Sequence, residues 1–197
     1  MPKSRNVGIL IFEDVEVLDF CGPFEVFSVA GGQISPGAFK VFTVAETHGP
    51  LLARNGLSVN ARYMLAEAPT IDVLLIPGGI GTRPLMHHAE VLAWIGQRAR
   101  TAELVLSVCT GSLLLARSGL LAGLSATTHH AALPLLREVA PGTTVRDDAR
   151  FVDNGRIITS AGVAAGIDMS FHVIDKLLGR EVATATARHI EYPWQPS

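Results

Sequence analysis

The clearest chemical signal in the sequence is the segment Ser107-Val-Cys-Thr-Gly-Ser112, where one cysteine stands between an apolar run and a helical pattern. A strand that turns at once into a helix, with a nucleophile at the turn, is a nucleophile elbow, and its strained backbone needs small flanking residues. A helix N-terminus also stabilises a thiolate and can lower the pKa of a cysteine to roughly 3.5–7.5. The segment therefore predicts an accessible, reactive Cys109; a buried structural cysteine is the alternative.

A glycine-rich turn follows another apolar run, in the segment Ile76-Pro-Gly-Gly-Ile-Gly81. Glycines let backbone N–H groups approach a ligand because no Cβ stands in the way. The amides around Gly78 and Gly79 are therefore candidates for half of an oxyanion hole, and the N–H of Thr110 is a candidate for the other half. A turn that binds nothing is the alternative. The glycine spacing does not fit a dinucleotide-binding fingerprint.

Asp19 and His129 are the candidate proton-transfer groups. Asp19 stands in an apolar segment just past the first predicted strand. Its carboxylate either caps a helix that starts near Pro23 or faces the thiol as an acid or base, and the sequence leaves both open. His129 and His130 follow the elbow helix, where a histidine either activates a thiol or makes structural hydrogen bonds. No His, Cys and Asp residues have the spacing of metal ligands, so we predict no metal site.

Short apolar runs that alternate with helical patterns must position these residues. Strands are predicted over residues 7–12, 40–45, 72–76 and 104–108, and hairpins at Asn55-Gly56 and at Asp153-Asn-Gly155. Helices are predicted over residues 24–30, 84–100, 110–117, 163–178 and 181–190. Continuous apolar strands that alternate with helices indicate a parallel sheet covered on both faces. Ligands bind at the carboxyl ends of the strands in such a sheet, where the candidate segments would meet.

Composition limits the classes of protein that the chain can be. Its 197 residues are 48% hydrophobic and 17% charged, which excludes a disordered chain and predicts one domain over residues 1–197. A net charge of −2 leaves no basic surplus for nucleic acid, and no segment is long and apolar enough to predict a membrane span. Two cysteines, Cys21 and Cys109, are too few for a disulfide framework, so a reducing, cytoplasmic setting is expected.

These segments together resemble the ThiJ/PfpI superfamily, which is related to the class I glutamine amidotransferases. The resemblance runs from Val7 to about Tyr192. It is carried by Leu18-Asp19-x-x-Gly22-Pro23, Ile76-Pro-Gly-Gly79, Ser107-Val-Cys-Thr-Gly-Ser112, Ala126-Thr-Thr-His129 and Ser160-Ala-Gly-x-x-Ala-Gly-Ile-Asp168. Threonine after the cysteine and aspartate at position 19 are the pattern of the isonitrile-hydratase-like branch. Intracellular-protease-like members carry histidine after the cysteine, so Thr110 argues against a peptidase.

The resemblance implies a flavodoxin-like three-layer α/β sandwich with a mainly parallel sheet, a homodimer, and a site without metal or cofactor. It implies that the partner is a small-molecule substrate. It further implies hydration of a small electrophile, an isonitrile that becomes an N-substituted formamide, with Cys109 as nucleophile and Asp19 as acid or base. A cofactor-independent glyoxalase is one alternative. A non-enzymatic small-molecule or redox-sensing protein, related to the sensor domains of transcription regulators, is another.

The resemblance also assigns supporting roles. Thr110 would orient the intermediate through its hydroxyl and its N–H group. The amides of Gly79 and Ile80 would hold developing negative charge, with Gly78 in the same turn. His129 would support the site without taking part in bond making.

Overall fold

The computed structural model describes residues 3–196, which form an α/β sandwich. Its strands are β1 (Arg5–Leu10), β2 (Phe39–Ala45), β3 (Pro50–Leu52), β4 (Ser58–Asn60), β5 (Tyr63–Met64), β6 (Val73–Ile76), β7 (Leu104–Val108), β8 (Ser125–Ala126), β9 (Thr144–Val145), β10 (Phe151–Asp153) and β11 (Ile157–Ser160). Its helices are α1 (Val17–Val29), α2 (Thr82–Leu85), α3 (Ala89–Thr101), α4 (Gly111–Arg117), α5 (Leu133–Val139), α6 (Ala165–Leu178) and α7 (Arg180–His189).

One seven-stranded sheet forms the middle layer, in the order β10-β11-β7-β6-β1-β2-β5. Its strands are parallel except for the antiparallel pair β10–β11. Helices α1, α6 and α7 pack against one another, and α4 packs with α2, α3 and α5. Because β2 is added on one side of β1, and β6 and β7 on the other, right-handed connections place these two helical layers on opposite faces. The predicted three-layer sandwich with a mainly parallel sheet is confirmed.

The central strands lie between two layers, and their composition shows why. All four residues of β6 and all five residues of β7 are buried. Strands covered on both faces need apolar side chains at consecutive positions instead of alternate ones. Helix α3 instead buries one stripe, formed by Val91, Trp94, Ile95 and Ala99. The strand order reverses between β1 and β6, and in sheets of this kind ligands bind at the carboxyl ends of the strands beside such a reversal.

Two predicted helices have different bounds in the structure. The helix predicted from Phe24 begins at Val17 and contains Pro23. A proline inside a helix removes one backbone hydrogen bond, but Phe20, Val26 and Phe27 on this helix are buried, and that packing outweighs the loss. The helix predicted over 84–100 is two helices, because His88 adopts an extended backbone before α3.

The remaining predicted elements agree with the structure within a few residues. The Asn55-Gly56 and Asp153-Asn-Gly155 signals fall between the antiparallel pairs β3–β4 and β10–β11. Strands β5, β8 and β9 and helix α5 had no predicted counterpart, because short elements carry little periodicity. None of the helices within residues 3–196 has both the length and the apolar character needed to cross a lipid bilayer.

Candidate active site

Cys109 occupies a strained elbow between β7 and α4. Its φ of 56° lies in the left-handed region, which non-glycine residues rarely adopt. Its N–H group donates to the carbonyls of Ser160 and Ala161, both at 3.2 Å. Its carbonyl accepts from the Thr128 hydroxyl at 2.8 Å and from the Ser112 hydroxyl at 3.1 Å. The surrounding contacts therefore hold the strained backbone in place.

Two glycines allow the elbow to approach the end of β6. A Cβ on Gly111 would lie 2.0 Å from the carbonyl oxygen of Ile76. A Cβ on Gly78 would lie 2.6 Å from the backbone nitrogen of Thr110 and 2.8 Å from Oδ2 of Asp19. Neither position has room for a side chain, so these glycines bring α1, β6 and the elbow together.

Asp19 lies in the first turn of α1 and is fully buried. Its Oδ2 accepts a hydrogen bond from the Gly78 N–H at 3.0 Å. Oδ1 has no well-aligned hydrogen-bond partner within residues 3–196, although the Cys109 thiol lies beside the carboxyl group. Burial raises the pKa of Asp19 to about 7, while the Gly78 amide and the thiol act in the opposite direction. The helix-capping alternative is wrong, because α1 begins at Val17, the residue preceding it is Glu16, and no side chain caps its N-terminus.

The ionisation of Cys109 differs from the sequence-based expectation. Its side chain is covered, with the residue only 6% exposed. Burial and the nearby charge of Asp19 raise the pKa of the thiol to about 12. The N–H and hydroxyl of Thr110 favour the thiolate and act in the opposite direction. The predictions of an accessible thiol and a lowered pKa were therefore wrong. Helix α4 is only seven residues long, and its N-terminus does not outweigh burial next to a carboxylate.

Thr110 connects the thiol to the glycine-rich turn. Its Oγ1 accepts from the Gly79 N–H at 3.0 Å and lies 3.1 Å from the Gly79 carbonyl oxygen. The buried hydroxyl of Thr82 lies 3.1 Å from Oγ1 of Thr110 and donates to the Gly79 carbonyl at 2.8 Å. The threonine after the cysteine is therefore part of a hydrogen-bond network and does not face open solvent.

The amides predicted to form an oxyanion hole are not equivalent. The Gly78 N–H is used by Asp19, and the Gly79 N–H is used by Oγ1 of Thr110. The backbone N–H of Ile80 makes no hydrogen bond within residues 3–196, and its side chain is exposed. The Thr110 N–H is directed at the sulfur. In this geometry Gly78 and Gly79 orient the other groups, the Thr110 amide serves the sulfur, and Ile80 retains an amide for a ligand.

His129 lies beside the elbow, at the wall of a cavity of about 240 Å³. Its Nδ1 accepts from the Ala131 N–H at 3.2 Å, which leaves the ring proton on Nε2 in the neutral form. Burial and the neighbouring His130 lower the pKa of His129, which favours that neutral form. A Cβ on Gly162 would lie 2.3 Å from the His129 ring, so a glycine is needed beside that ring. His129 therefore presents a hydrogen-bond donor at the cavity and does not contact the thiol as a base.

Three positions support the site through contacts that the sequence analysis did not assign to them. Thr82 and Thr128 hold Thr110 and Cys109 through side-chain hydrogen bonds. Val163 has a φ of 51°, unusual for a β-branched residue, and its backbone contacts the Asp19 carboxyl. Thr82 follows the glycine-rich turn, and Thr128 and Val163 lie within segments quoted for the family resemblance, but no motif assigns these contacts to them.

No group of three or more His, Cys, Asp or Glu side chains in residues 3–196 is arranged to hold a metal ion. Cys21 and Cys109 are both free thiols. A second cavity, of about 170 Å³, lies beyond β1 and β2 and is lined by residues such as Leu10 and Phe12. Neither Cys109 nor Asp19 lines this cavity or the one beside His129.

A methyl group at position 78 tests the packing of this site. We expect Gly78→Ala to destabilise the fold by about 1–3 kcal/mol, because the new Cβ pushes Asp19 and Thr110 apart. Urea unfolding measures the change. Gly96→Ala is the matched control, since its Cβ meets nothing within 4 Å in helix α3, and it should be neutral or stabilising. Equal stability of the two variants would contradict the assigned packing.

The fold and the site define the class to which this chain belongs: an α/β sandwich with a cysteine in a strained strand-to-helix elbow, beside a buried carboxylate. The sequence pattern of the DJ-1/PfpI family matches residues 5–176. The chain belongs to the DJ-1/PfpI family.

Three relatives illustrate the range of the family. An isonitrile hydratase from Pseudomonas putida is 35% identical over 196 residues, covering 98% of this chain and 81% of the relative. The HTH-type transcriptional regulator GbdR from Pseudomonas aeruginosa is 26% identical over 97% of this chain, which spans 52% of that regulator. A ThiJ/PfpI family protein from Pseudomonas syringae has a crystal structure that superposes with a TM-score of 0.88 and 29% identity, covering 99% of this chain and 78% of the other.

Proposed function

We propose that this protein is a cysteine-dependent hydratase of small electrophiles, and that its substrate is an isonitrile, which it converts to an N-substituted formamide. The observation that carries the proposal is the buried Asp19 carboxyl beside the buried Cys109 thiol, where the N–H and hydroxyl of Thr110 favour the thiolate. Addition to a carbon electrophile needs a nucleophile and, next to it, a proton donor whose pKa is near neutral. The similarity to an isonitrile hydratase supports the same substrate.

The burial of Cys109 favours a slender substrate. With only 6% of the residue exposed, a bulky carbonyl compound has little room to reach the sulfur. An isonitrile presents a terminal carbon at the end of a linear two-atom group, so its substituent can stay outside in the crevice. We assign the apolar contact for that substituent to the exposed side chain of Ile80, in the turn that follows β6.

The first half of the proposed reaction forms a thioimidate. When Asp19 is protonated, its charge no longer opposes the thiolate of Cys109, and the Thr110 N–H and hydroxyl stabilise the sulfur. The thiolate attacks the terminal carbon, forming a carbon–sulfur bond and leaving an electron pair on that carbon. Asp19 donates its proton to the same carbon, which gives an N-substituted thioimidate and the Asp19 carboxylate.

The second half adds water and releases the product. The Asp19 carboxylate takes a proton from water as the hydroxyl adds to the thioimidate carbon, and it passes that proton to the nitrogen. The tetrahedral intermediate then collapses: the carbon–sulfur bond breaks, the Cys109 thiolate leaves, and the hydroxyl proton returns to Asp19. The net change is isonitrile plus water to formamide, with the enzyme restored. The amide of Ile80, which makes no hydrogen bond within the described chain, is the proposed donor to the oxygen during collapse.

The pH dependence of kcat/KM tests the pairing of these two groups. The reactive enzyme form carries one proton on the pair, and the pair loses its first proton near neutral pH because burial raises the pKa of Asp19 to about 7. We expect kcat/KM for a non-titrating isonitrile to fall about tenfold per pH unit below pH 7 and to level off above it. A flat profile between pH 5 and pH 8, with the enzyme folded throughout, would exclude this pairing.

The substrate is tested with a panel of alkyl and aryl isonitriles and of α-oxoaldehydes, including methylglyoxal. We expect formamide from the isonitriles, measured by chromatography, and no turnover of the oxoaldehydes. Turnover of methylglyoxal alone would instead support the cofactor-independent glyoxalase. The homodimer implied by the family resemblance is part of the proposal and is measured by sedimentation of the same sample.

The similarity to regulators makes a non-enzymatic sensor the second candidate. A redox-sensing cysteine is an accessible thiolate, whereas Cys109 is buried and its thiol pKa is raised. We therefore favour the enzyme. Rapid oxidation of Cys109 by dilute peroxide, together with no turnover of any isonitrile, would reverse this preference.

A further inference from the structure

The carbonyl of Gly79 has more hydrogen-bond donors around it than it can accept. The Thr82 N–H lies 3.2 Å from this oxygen and the Thr82 hydroxyl lies 2.8 Å from it. The Thr110 hydroxyl lies 3.1 Å from the same oxygen. A carbonyl oxygen has two lone pairs. The N–H and the hydroxyl of Thr82 occupy both lone pairs of the Gly79 carbonyl oxygen, and the hydroxyl makes the shorter contact.

This occupancy decides where the single hydroxyl proton of Thr110 goes. Oγ1 of Thr110 already accepts from the Gly79 N–H at 3.0 Å, so its own proton must find another acceptor. The candidates are the Gly79 carbonyl, which Thr82 fills, the Oγ1 of Thr82 at 3.1 Å, and the sulfur of Cys109. The guanidinium of Arg83 donates to Oγ1 of Thr82 at 3.2 Å, which takes one of that oxygen's acceptor positions. A thiolate carries a full charge and is the stronger acceptor among the sites that remain.

We propose that Thr82 is a positioning residue for the proposed hydration: by occupying the Gly79 carbonyl it directs the hydroxyl proton of Thr110 to the sulfur of Cys109. The inference rests on the proposed function for its role in turnover, but not for the hydrogen-bond geometry itself. Thr82 is fully buried, and within residues 3–196 its hydroxyl makes no hydrogen bond to the sulfur, so it acts through Thr110. Removing its hydroxyl opens a lone pair on the Gly79 carbonyl, and the Thr110 hydroxyl then turns away from the thiolate.

The test measures the thiol directly and needs no substrate. Cys21→Ser removes the other free thiol, and the rate of Cys109 alkylation by iodoacetamide is then followed from pH 6 to pH 10. We expect Thr82→Val in this background to alkylate about tenfold more slowly at each pH, equivalent to about one pKa unit in the thiol. Thr82→Ser keeps the hydroxyl and should restore the rate. A residue with a purely structural role would lower the unfolding midpoint without moving this rate profile.

A second comparison identifies Thr110 as the intermediary. In a Thr110→Val background, Thr82→Val should have no further effect on alkylation, since the hydroxyl that it directs is gone. If Thr82→Val does not fold, as judged by circular dichroism, Thr82→Ala replaces it. An unchanged alkylation profile in a folded variant that lacks the hydroxyl overturns the inference. A slower profile with no isonitrile turnover by the parent protein would uphold the inference while the proposed function fails.

Discussion

Cys109→Ser should lower kcat/KM for an isonitrile by about 10⁴-fold or more, the size of loss typical when a covalent nucleophile is removed. A serine hydroxyl remains protonated beside a carboxyl group whose pKa is about 7, so it cannot supply the anion that the thiol supplies. The substitution changes one atom and keeps the hydrogen bonds of the backbone at position 109, so the unfolding midpoint should shift by only a few degrees. Initial rates of formamide formation and a thermal melt measure the two effects.

Cys21→Ser is the control for this loss. Cys21 lies on α1 in a partly exposed groove beside Ile167, and it has no hydrogen-bond contact with Asp19 or Cys109 within the described chain. Its variant should retain wild-type kcat/KM. More than a few per cent of activity in Cys109→Ser would show that the sulfur is not the nucleophile, and an equal loss in both variants would point to a general effect of thiol removal.

The architecture was predictable because its signals are local and repeated. Strands such as Val73–Ile76 and Leu104–Val108 are uninterrupted apolar runs between helical patterns, which few arrangements other than a covered parallel sheet can bury. The start of α1 was not predictable in the same way. Pro23 is the strongest local marker in that segment, and only the packing of the helix on the sheet shows that the helix continues through it.

The candidate site was predictable as a set of residues, because parallel strands bring their carboxyl ends to one edge. Asp19 follows β1, Gly78 follows β6 and Cys109 follows β7, and these three strands are neighbours. Which hydrogen bond each group makes was not predictable. The choice between Gly79 and Ile80 as the free amide depends on the position of the Thr110 hydroxyl, a matter of tenths of an ångström. The raised pKa of Cys109 depends on burial, which no motif encodes.

Asp19→Asn should have two large and opposite effects: a loss of turnover by about 10³-fold or more, and a gain in stability at alkaline pH. Turnover falls because the amide cannot donate an acidic proton to the carbanion-like carbon. Stability rises because burial holds the pKa of Asp19 near 7 in the folded protein, above the model value of 3.8. At about 1.4 kcal/mol per pKa unit, ionising this buried carboxyl costs up to about 4 kcal/mol.

The sign of the effect fixes its pH window. A carboxyl whose pKa is higher in the folded state stabilises the fold most below its unfolded pKa, and that contribution is lost as the pH rises through the folded value. Wild type should therefore lose stability between about pH 4 and pH 7, and Asp19→Asn, which has no proton to lose there, should not. Urea unfolding at pH 4.5 and pH 8 measures the difference, which should be several-fold larger at pH 8.

An exposed carboxylate provides the matched control for this stability change. Asp147 pairs with Arg137 on the surface, and Asp147→Asn should change stability by less than about 0.5 kcal/mol at either pH. Asp19→Asn keeps an oxygen that can accept from the Gly78 N–H at the position of Oδ2, so the network need not open. If Asp19→Asn were less stable than wild type at pH 8, the carboxyl would have to be ionised and well solvated in the folded protein. Asp19 could not then be the group that carries a proton to substrate at neutral pH.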